Sequence, residues 1–344
     1  MKFKRSSLAL ILAILLSLSL VLGACAPAAE APAAEEPAAE APAAEEEAAA
    51  EEVEEPAAED MTFKLGLMGP YSGPSAQTGA QFKGGATIAL EEYDYKIGPY
   101  TIEPVWVDSQ SDPAKASQAY EQAVVQDGIQ AGALNWHSSV AVAVMEVTAK
   151  HEIPHIFGFG ATEKVNETFA SDTDKYGYWS MKGWPTPAKL GNKYVDALEY
   201  YIEQGVFTPE AKTVAIYGED TDWGRSFGAG AIELFEAAGW EVVSEEYFPL
   251  EQTEFYPFLN KLKDLNPAVI AGTSTAPPSI TALIKQADEV GLESLIIADG
   301  LGWVDFCSLT GDSATNVIDQ IAGWSSDAGF AFAEEFESRY DLAP

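Results

Sequence analysis

The chain has 344 residues, of which 47% are hydrophobic and 11% aromatic, and a formal net charge of −35. Residues 61–344 carry −25 of that charge, so we expect them to repel nucleic acid and anionic lipid head groups. These 284 residues are enough for two lobes of about 140 residues each.

The first 25 residues have the layout of a bacterial export signal. Three cationic side chains near the start precede an apolar run at 8–22, which is too short to be a stable membrane span. The run ends in Leu-Gly-Ala-Cys at 22–25, which resembles the lipobox of bacterial lipoproteins. We therefore predict a lipoprotein signal peptide at 1–25 and a lipid on Cys25 that anchors an extracytoplasmic chain to a bacterial membrane. An ordinary secretory signal with an incidental cysteine is the alternative.

Residues 26–60 repeat a five-residue pattern of alanine, proline and glutamate. Regularly spaced prolines interrupt a helix, and the segment has no aromatic residue and a single valine. Because such a segment cannot bury a core, we predict a disordered, solvated tether between the membrane and the folded part.

From Phe63 onward, short apolar runs alternate with helical patterns in two series. The first series predicts strands at 63–68, 102–107, 129–134 and 155–159 and helices at 79–94, 113–126 and 138–150. The second predicts helices at 188–204, 224–238, 255–264 and 279–290 and strands at 213–217, 240–247, 268–272 and 294–298.

This alternation predicts an α/β fold of two lobes, each a mostly parallel sheet with helices on both faces. We place lobe 1 at 61–185, lobe 2 at 186–322 and a return to lobe 1 at 323–344. A ligand would bind in the cleft where the carboxyl ends of the strands face each other. With Cys25 lipidated, Cys307 is left unpaired, and we predict that it fills the core.

Three short motifs match catalytic patterns but fail on physical grounds. His151 and His155 match a zinc-protease motif, but Pro154 disfavours the single helical face that both would need. Residues 224–228 match a nucleophile elbow, yet every histidine lies upstream of it, whereas that fold places its histidine downstream. The Gly-Phe-Gly at 158–160 lacks the third glycine of a dinucleotide loop. We therefore predict a protein that is not an enzyme and uses no metal or cofactor; a hydrolase that relies on carboxylates is the alternative class.

A helix start and the segment after the next predicted strand are candidates for holding an anion. Ser138 and Ser139 open a helix directly after a predicted strand and offer hydroxyls and amides. Ala161 and Thr162 follow the next strand and could add to the same edge. The alternative for Ser138 is that it only caps its helix.

Aromatic and acidic residues complete the candidate site. Trp136 lies just before the serines, and Trp223 is predicted to lie in a loop after a second-lobe strand, so the two could clamp an apolar body between the lobes. Asp299, at the end of a predicted strand, could pair with an ammonium group; solvent exposure is the alternative for it.

The order of these motifs resembles the leucine/isoleucine/valine-binding protein family from about residue 62 to 340. The first lobe carries the resemblance at 64–67, 69–74, Gly79, 84–86, Asp108, Asp112, Pro113, Ala116 and 127–129, and the second at 217–218, 223–224, 284–287 and 291–292.

The resemblance implies a periplasmic binding protein of type I, shaped like a Venus flytrap, in lipoprotein form. Such a protein presents an amino acid or a related solute to the permease of an ABC importer, and we expect a monomer. It further implies that Ser138, Ala161 and Thr162 hold the ligand carboxylate, that Trp223 closes over the ligand and that Asp299 meets its ammonium group. A sensor of the same fold that signals to a membrane receptor is the alternative.

Departures from the family pattern bear on the ligand and on the length. Trp136 and His137 are unusual, and the family often has tyrosine in place of Trp223, which favours an aromatic or larger apolar ligand. The resemblance also implies roughly 60 or more further residues after 330–344. We therefore expect a C-terminally truncated chain that leaves apolar surface exposed on lobe 1.

Overall fold

The computed structural model describes residues 61–299, 301, 305–319 and 324–344. The predicted signal peptide, the lipidation of Cys25 and the tether at 26–60 lie outside the described residues. In the described part, the longest helices have 17 residues, and no helix is both long and apolar enough to cross a membrane.

The first sheet has six strands in the order β2-β3-β1-β4-β5-β6, and only β2 runs antiparallel to its neighbour. Helices connect the parallel strands because a parallel pair needs a long crossover. The strands are β1 Met61–Gly69, β2 Lys96–Ile97, β3 Tyr100–Asp108, β4 Ala131–Ala133, β5 His155–Phe157 and β6 Ser180–Lys182. The helices are α1 Ala76–Glu92, α2 Pro113–Gln122 with a π-helical continuation Ala123–Asp127, α3 Ser138–His151, α4 Glu163–Ser171 and α5 Thr173–Tyr176.

The second sheet has five parallel strands in the order β11-β10-β9-β7-β8. Its strands are β7 Thr213–Glu219, β8 Glu241–Phe248, β9 Val269–Thr273, β10 Leu295–Ala298 and β11 Val317–Asp319. Its helices are α6 Pro187–Glu203, α7 Asp222–Ala237, α8 Tyr256–Leu265, α9 Pro277–Glu289 and α10 Asp305–Thr310, followed by a 3-10 turn Gly311–Ala314. A final helix, α11, spans Asp327–Tyr340.

Helices cover both faces of the second sheet, as the alternation predicts. Successive side chains of a strand point to opposite faces. On β7, Ala215 and Tyr217 therefore join one core cluster with α8 and α9, while Val214 and Ile216 join another with α6 and α7. The predicted fold class, two mostly parallel sheets flanked by helices, is confirmed.

In the core of the first sheet, buried hydrogen bonds hold His155. Its Nδ1 accepts from the Tyr120 hydroxyl at 2.9 Å and its Nε2 donates to the Leu134 carbonyl at 2.8 Å. Burial lowers the pKa of His155 to about 4, so the ring is neutral at pH 7. His151 ends α3 whereas His155 begins β5, so the two histidines of the zinc-protease motif do not share a helical face.

Glycines let two segments approach α1 closely. A Cβ on Gly79 would lie 2.2 Å from the Pro70 carbonyl oxygen, and one on Gly84 would lie 2.6 Å from the Phe336 ring. Phe336 belongs to α11, which therefore packs directly on α1, and Arg339 of α11 pairs with Glu91. The last described helix thus packs against the first-sheet side of the molecule.

The prediction that Cys307 fills the core is wrong. Cys307 lies in α10 with its side chain exposed, and the neighbouring Phe306 takes the buried position.

Candidate ligand-binding site

The N-termini of α3 and α4 meet at the carboxyl edge of the first sheet. The Thr162 backbone N–H donates to Ser138 Oγ at 3.2 Å, and both residues are buried. Thr162 caps α4, because its own Oγ1 accepts from the Lys164 N–H at 3.3 Å. Ser138 is the first residue of α3 rather than its cap, and its oxygen accepts from Thr162 instead of from an N–H of its own helix.

The residue that precedes α3 as its N-cap is His137, whose side chain makes no capping hydrogen bond. Its Nδ1 lies 3.4 Å from Thr275 Oγ1, and its buried Nε2 has no partner among the described residues. Burial lowers the pKa of His137 to about 3, so the ring is neutral. A neutral imidazole with an unsatisfied buried nitrogen therefore lies at the start of α3.

Lys182, at the end of β6, holds the segment between β5 and α4. Its Nζ donates to the Ala161 carbonyl at 2.8 Å, the Thr162 carbonyl at 3.2 Å and Asn166 Oδ1 at 2.7 Å. Partial burial lowers the pKa of this ammonium group. With all three donors bound to neutral oxygens, Lys182 places a positive charge beside the predicted carboxylate-binding residues.

On the side of the second sheet, Glu219 organises the loop after β9. This fully buried carboxylate accepts from the Thr275 N–H at 2.6 Å, the Thr275 hydroxyl at 2.7 Å and the Thr221 hydroxyl at 2.8 Å. Burial raises the pKa of Glu219, and these hydrogen bonds oppose the rise. Glu219 therefore fixes Thr275 at the carboxyl edge of the second sheet.

Trp223 is the second residue of α7 and not a loop residue, because Thr221 caps the helix two residues earlier. The indole is 7% exposed and packs in the core cluster that also includes Ala161. Its Nε1–H donates to Thr273 Oγ1 at 2.8 Å, and the Thr273 hydroxyl donates to Asp299 Oδ2 at 3.4 Å. The structure thus links Trp223 to Asp299 through Thr273 and gives both side chains partners within the second sheet.

Near α4 and α7, polar contacts join the two sheets. The Asp222 backbone N–H donates to Ser139 Oγ at 3.1 Å, and the Asp222 carboxylate pairs with Lys164 at 3.2 Å. The Glu163 N–H donates to Ser226 Oγ at 3.4 Å. Ser139 therefore contacts the opposing side directly.

A second set of cross-sheet contacts centres on the carbonyl of Thr275. It accepts from the Ser75 hydroxyl at 2.9 Å and from Trp136 Nε1–H at 3.5 Å. The two sheets are therefore in a closed arrangement, with Thr275 in contact with the loops of the first sheet.

Four rings form a cluster beside these contacts, and we call it the aromatic wall: Phe82, Trp136, Phe159 and Trp184. Phe82 and Phe159 are stacked with centroids 5.6 Å apart, while Trp136 meets Phe159 edge-on at 4.9 Å and Phe82 edge-on at 6.0 Å. Trp184 is tilted against Phe159 at 4.5 Å. All four rings are half-buried.

The described part of the structure has two cavities, of which the second includes Lys182 in its lining. One of about 400 Å³ lies between α6 and the strands β10 and β11, and one of about 390 Å³ lies beside β6 and α4. None of the predicted ligand residues lines either cavity.

Sequence reasoning missed Lys182, Glu219, Thr273 and Thr275. The one available local signal was Thr221, a threonine directly before a helical pattern, which marks where α7 begins. Lys182, Glu219, Thr273 and Thr275 each have at least one partner 20 or more residues away in sequence, which no local pattern reveals.

Comparisons with known proteins place the chain among solute-binding proteins. A family described as periplasmic binding protein matches residues 62–344. A Leu/Ile/Val-binding protein homolog of Brucella suis is 27% identical over 232 residues, which are 67% of this chain and 55% of that protein. The chain thus spans about 55% of the length of this curated relative.

Solved structures share the fold. A branched-chain amino acid transporter substrate-binding protein from Streptococcus pneumoniae, in complex with isoleucine, has a TM-score of 0.67 at 21% identity and covers 82% of this chain and 78% of its own. An ABC transporter solute-binding protein from R. palustris, in complex with benzoate, has a TM-score of 0.69 at 20% identity and covers 82% and 75%. The predicted resemblance to leucine/isoleucine/valine-binding proteins is confirmed.

Proposed function

Because the chain belongs to the periplasmic binding protein family, we propose that it is a lipid-anchored extracytoplasmic solute-binding protein of an ABC importer. It captures a small organic acid, either an amino acid or an aromatic acid, and delivers it to the permease subunits. Cys25 carries the anchor, and the mature chain acts as a monomer. Family membership supports binding over catalysis, since this is not an enzyme family.

The observation that carries this proposal is the meeting of two helix N-termini at Ser138 and Thr162. Helix N-termini stabilise anions through unpaired amides and the helix dipole. Ser138 Oγ already accepts from Thr162, so its hydrogen can point to a ligand carboxylate. Lys182, bound to the carbonyls of the same segment, adds positive charge close by.

Closure of the two lobes is the mechanism. A ligand held at α3 and α4 also contacts the side of Thr275 and Trp223, so its binding energy favours the closed arrangement. The permease then recognises the closed form. No bond is made or broken in this cycle.

The proposal is tested by calorimetry on the full chain, purified in detergent, with L-leucine, L-isoleucine and benzoate as probes. At least one probe should bind, and Ser138→Ala and Thr162→Ala should each weaken it about tenfold, since each removes a polar contact to a charged group. Ser171→Ala, at an exposed position of α4, is the matched control. Unchanged affinity in both site variants would refute the assignment of the carboxylate site.

A further inference from the structure

Three neighbouring strands each deliver an aromatic ring and a polar anchor to the same edge of the first sheet. After β4, Trp136 precedes Ser138 by two residues. After β5, Phe159 precedes Thr162 by three, and at β6 Lys182 precedes Trp184 by two. Because these strands are parallel neighbours, the rings and the polar groups lie side by side.

The aromatic wall is well arranged to receive another ring. Phe82 and Phe159 are stacked at an interplanar angle of 22°, and Trp136 stands at 71° to Phe159, which are favourable aromatic geometries. Although the four rings pack on one another, each keeps part of its surface exposed. The contact of Trp136 with the Thr275 carbonyl places the wall where the two sheets meet.

The side of the second sheet is poorly suited to an ammonium group. Glu219 already accepts three hydrogen bonds from Thr275 and Thr221, and its environment opposes charge. Asp299 accepts from Thr273, which is itself bound to the Trp223 indole. An α-ammonium group at either carboxylate would have to share it with these donors.

His137 offers an unsatisfied ring nitrogen that could bind the carboxylate of a ligand. Its buried Nε2 lies at the N-terminus of α3 and has no hydrogen-bond partner in the described residues. Because the Thr275 hydroxyl donates to Glu219, its 3.4 Å contact with His137 requires hydrogen on Nδ1, and a tautomer with hydrogen on Nε2 exchanges this long contact for a charge-assisted bond to a ligand carboxylate. That tautomer would give a ligand carboxylate a donor on the residue that precedes Ser138 at the start of α3.

We propose that this site selects aromatic monocarboxylates, with the carboxylate at the N-termini of α3 and α4 and the ring against the aromatic wall. This inference rests on the proposed solute-binding function and narrows its ligand class. An amino acid with an aliphatic side chain fits less well, because it lacks the ring and brings an ammonium group to acids that already have partners.

The test compares four probes on the full chain in detergent by calorimetry: benzoate, cyclohexanecarboxylate, L-phenylalanine and L-isoleucine. Cyclohexanecarboxylate keeps the acid and the six-membered ring of benzoate but removes its aromaticity, and L-phenylalanine keeps an aromatic ring but adds an ammonium group. We expect benzoate to bind about tenfold more tightly than cyclohexanecarboxylate and more tightly than either amino acid. Tighter binding of L-isoleucine than of benzoate would overturn the inference and leave the solute-binding function intact, whereas no binding of any probe would refute both.

A pair of variants locates the ring. Phe159→Leu should weaken benzoate about tenfold while leaving cyclohexanecarboxylate within about threefold, because stacking is lost and apolar bulk is retained. Phe330→Leu, at a 58% exposed position of α11, should change neither affinity. Equal benzoate affinities in the two variants would overturn the placement of the ring. If Phe159→Leu folds poorly, the ranking of the probes on the unaltered chain still tests the ligand class.

Discussion

Replacing Lys182 with methionine tests whether this residue positions the anion site. The substitution keeps the apolar stem and removes the ammonium group, so the carbonyls of Ala161 and Thr162 and the side chain of Asn166 lose their donor. A hydrogen bond to a charged group contributes about 1.5–3 kcal/mol when it is shielded from water. Because Lys182 is half-buried, water replaces part of this, and we expect a loss of about 1–2 kcal/mol in the free energy of unfolding.

The effect on binding should be separable from the effect on stability. The variant loses a positive charge beside the carboxylate and releases the segment that carries Thr162, so affinity for a bound acid should fall about tenfold, or about 1.4 kcal/mol. Salt screens charges, so the difference in affinity between the variant and the unaltered chain should become smaller between about 0.05 and about 0.5 M salt. Lys182→Arg should recover most of the affinity, because it keeps the charge and several donors.

The measurements are urea denaturation and calorimetry with the tightest-binding probe acid. Lys189→Met, which removes an exposed lysine of α6, controls for the change in net charge. If Lys182→Met binds the acid as tightly as Lys189→Met does, Lys182 does not position the site.

Three further predictions address acid stability, packing and the anchor. Burial lowers the pKa of His137 to about 3 and of His155 to about 4, against about 6.5 in an unfolded chain. The unfolded chain therefore takes up protons first as the pH falls, and each histidine should lower the free energy of unfolding by about 2 kcal/mol between pH 7.5 and pH 5. The raised pKa of Glu219 partly offsets this loss. Urea titrations at the two pH values measure the difference, and an equal free energy of unfolding at both would contradict the prediction. Gly79→Ala should destabilise the protein by about 1–3 kcal/mol, because the new Cβ meets the Pro70 backbone. Gly85→Ala on the same helix should be neutral or stabilising, because the atom nearest to its new Cβ is 3.8 Å away. Similar melting temperatures for the two variants would refute the packing argument. Metabolic labelling with a fatty acid should mark the chain and the Cys307→Ala variant but not Cys25→Ala, and a label that survives Cys25→Ala would exclude the predicted anchor.

Elements within a clear apolar or helical pattern were predictable from sequence, including the three-residue strands β4 and β5, whereas several other short elements were not. The alternation of apolar strands with helices gave the two-sheet fold, because β1, β3 and β7 are long enough to show their pattern. The sequence did not predict β2 and β6, which have two and three residues, nor β11, α4 and α5. A strand of three residues is stabilised by pairing with neighbours distant in sequence, so its own residues carry little signal.

The same reasoning explains which site residues were found. Ser138 stands at a predicted helix start and Thr162 follows the end of a predicted strand, where local sequence carries information, and the structure brings the two residues into contact. Trp223 was assigned to a loop because Gly224 suggested a helix start, whereas capping by Thr221 begins α7 earlier and buries the indole. Lys182 gave no signal at all, since a lysine at the end of a short strand is usually solvated and its partners here are carbonyls of another segment.

Each polar contact between the two sheets contributes little stability by itself, and this determines how strongly a ligand must favour the closed arrangement. The ion pair of Lys164 with Asp222 has side chains 54% and 29% exposed, so it contributes about 0–1 kcal/mol. The hydrogen bonds from Ser75 and Trp136 to the Thr275 carbonyl contribute about 1 kcal/mol each, and the bond from Trp136 is long, at 3.5 Å. We expect such contacts, set against the entropy of fixing two lobes, to leave the open and closed arrangements close in free energy. A ligand that bridges Ser138 and the side of Thr275 therefore needs only a few kcal/mol of preference for the closed form to shift the population, which is the condition for a binding protein that must also release its ligand.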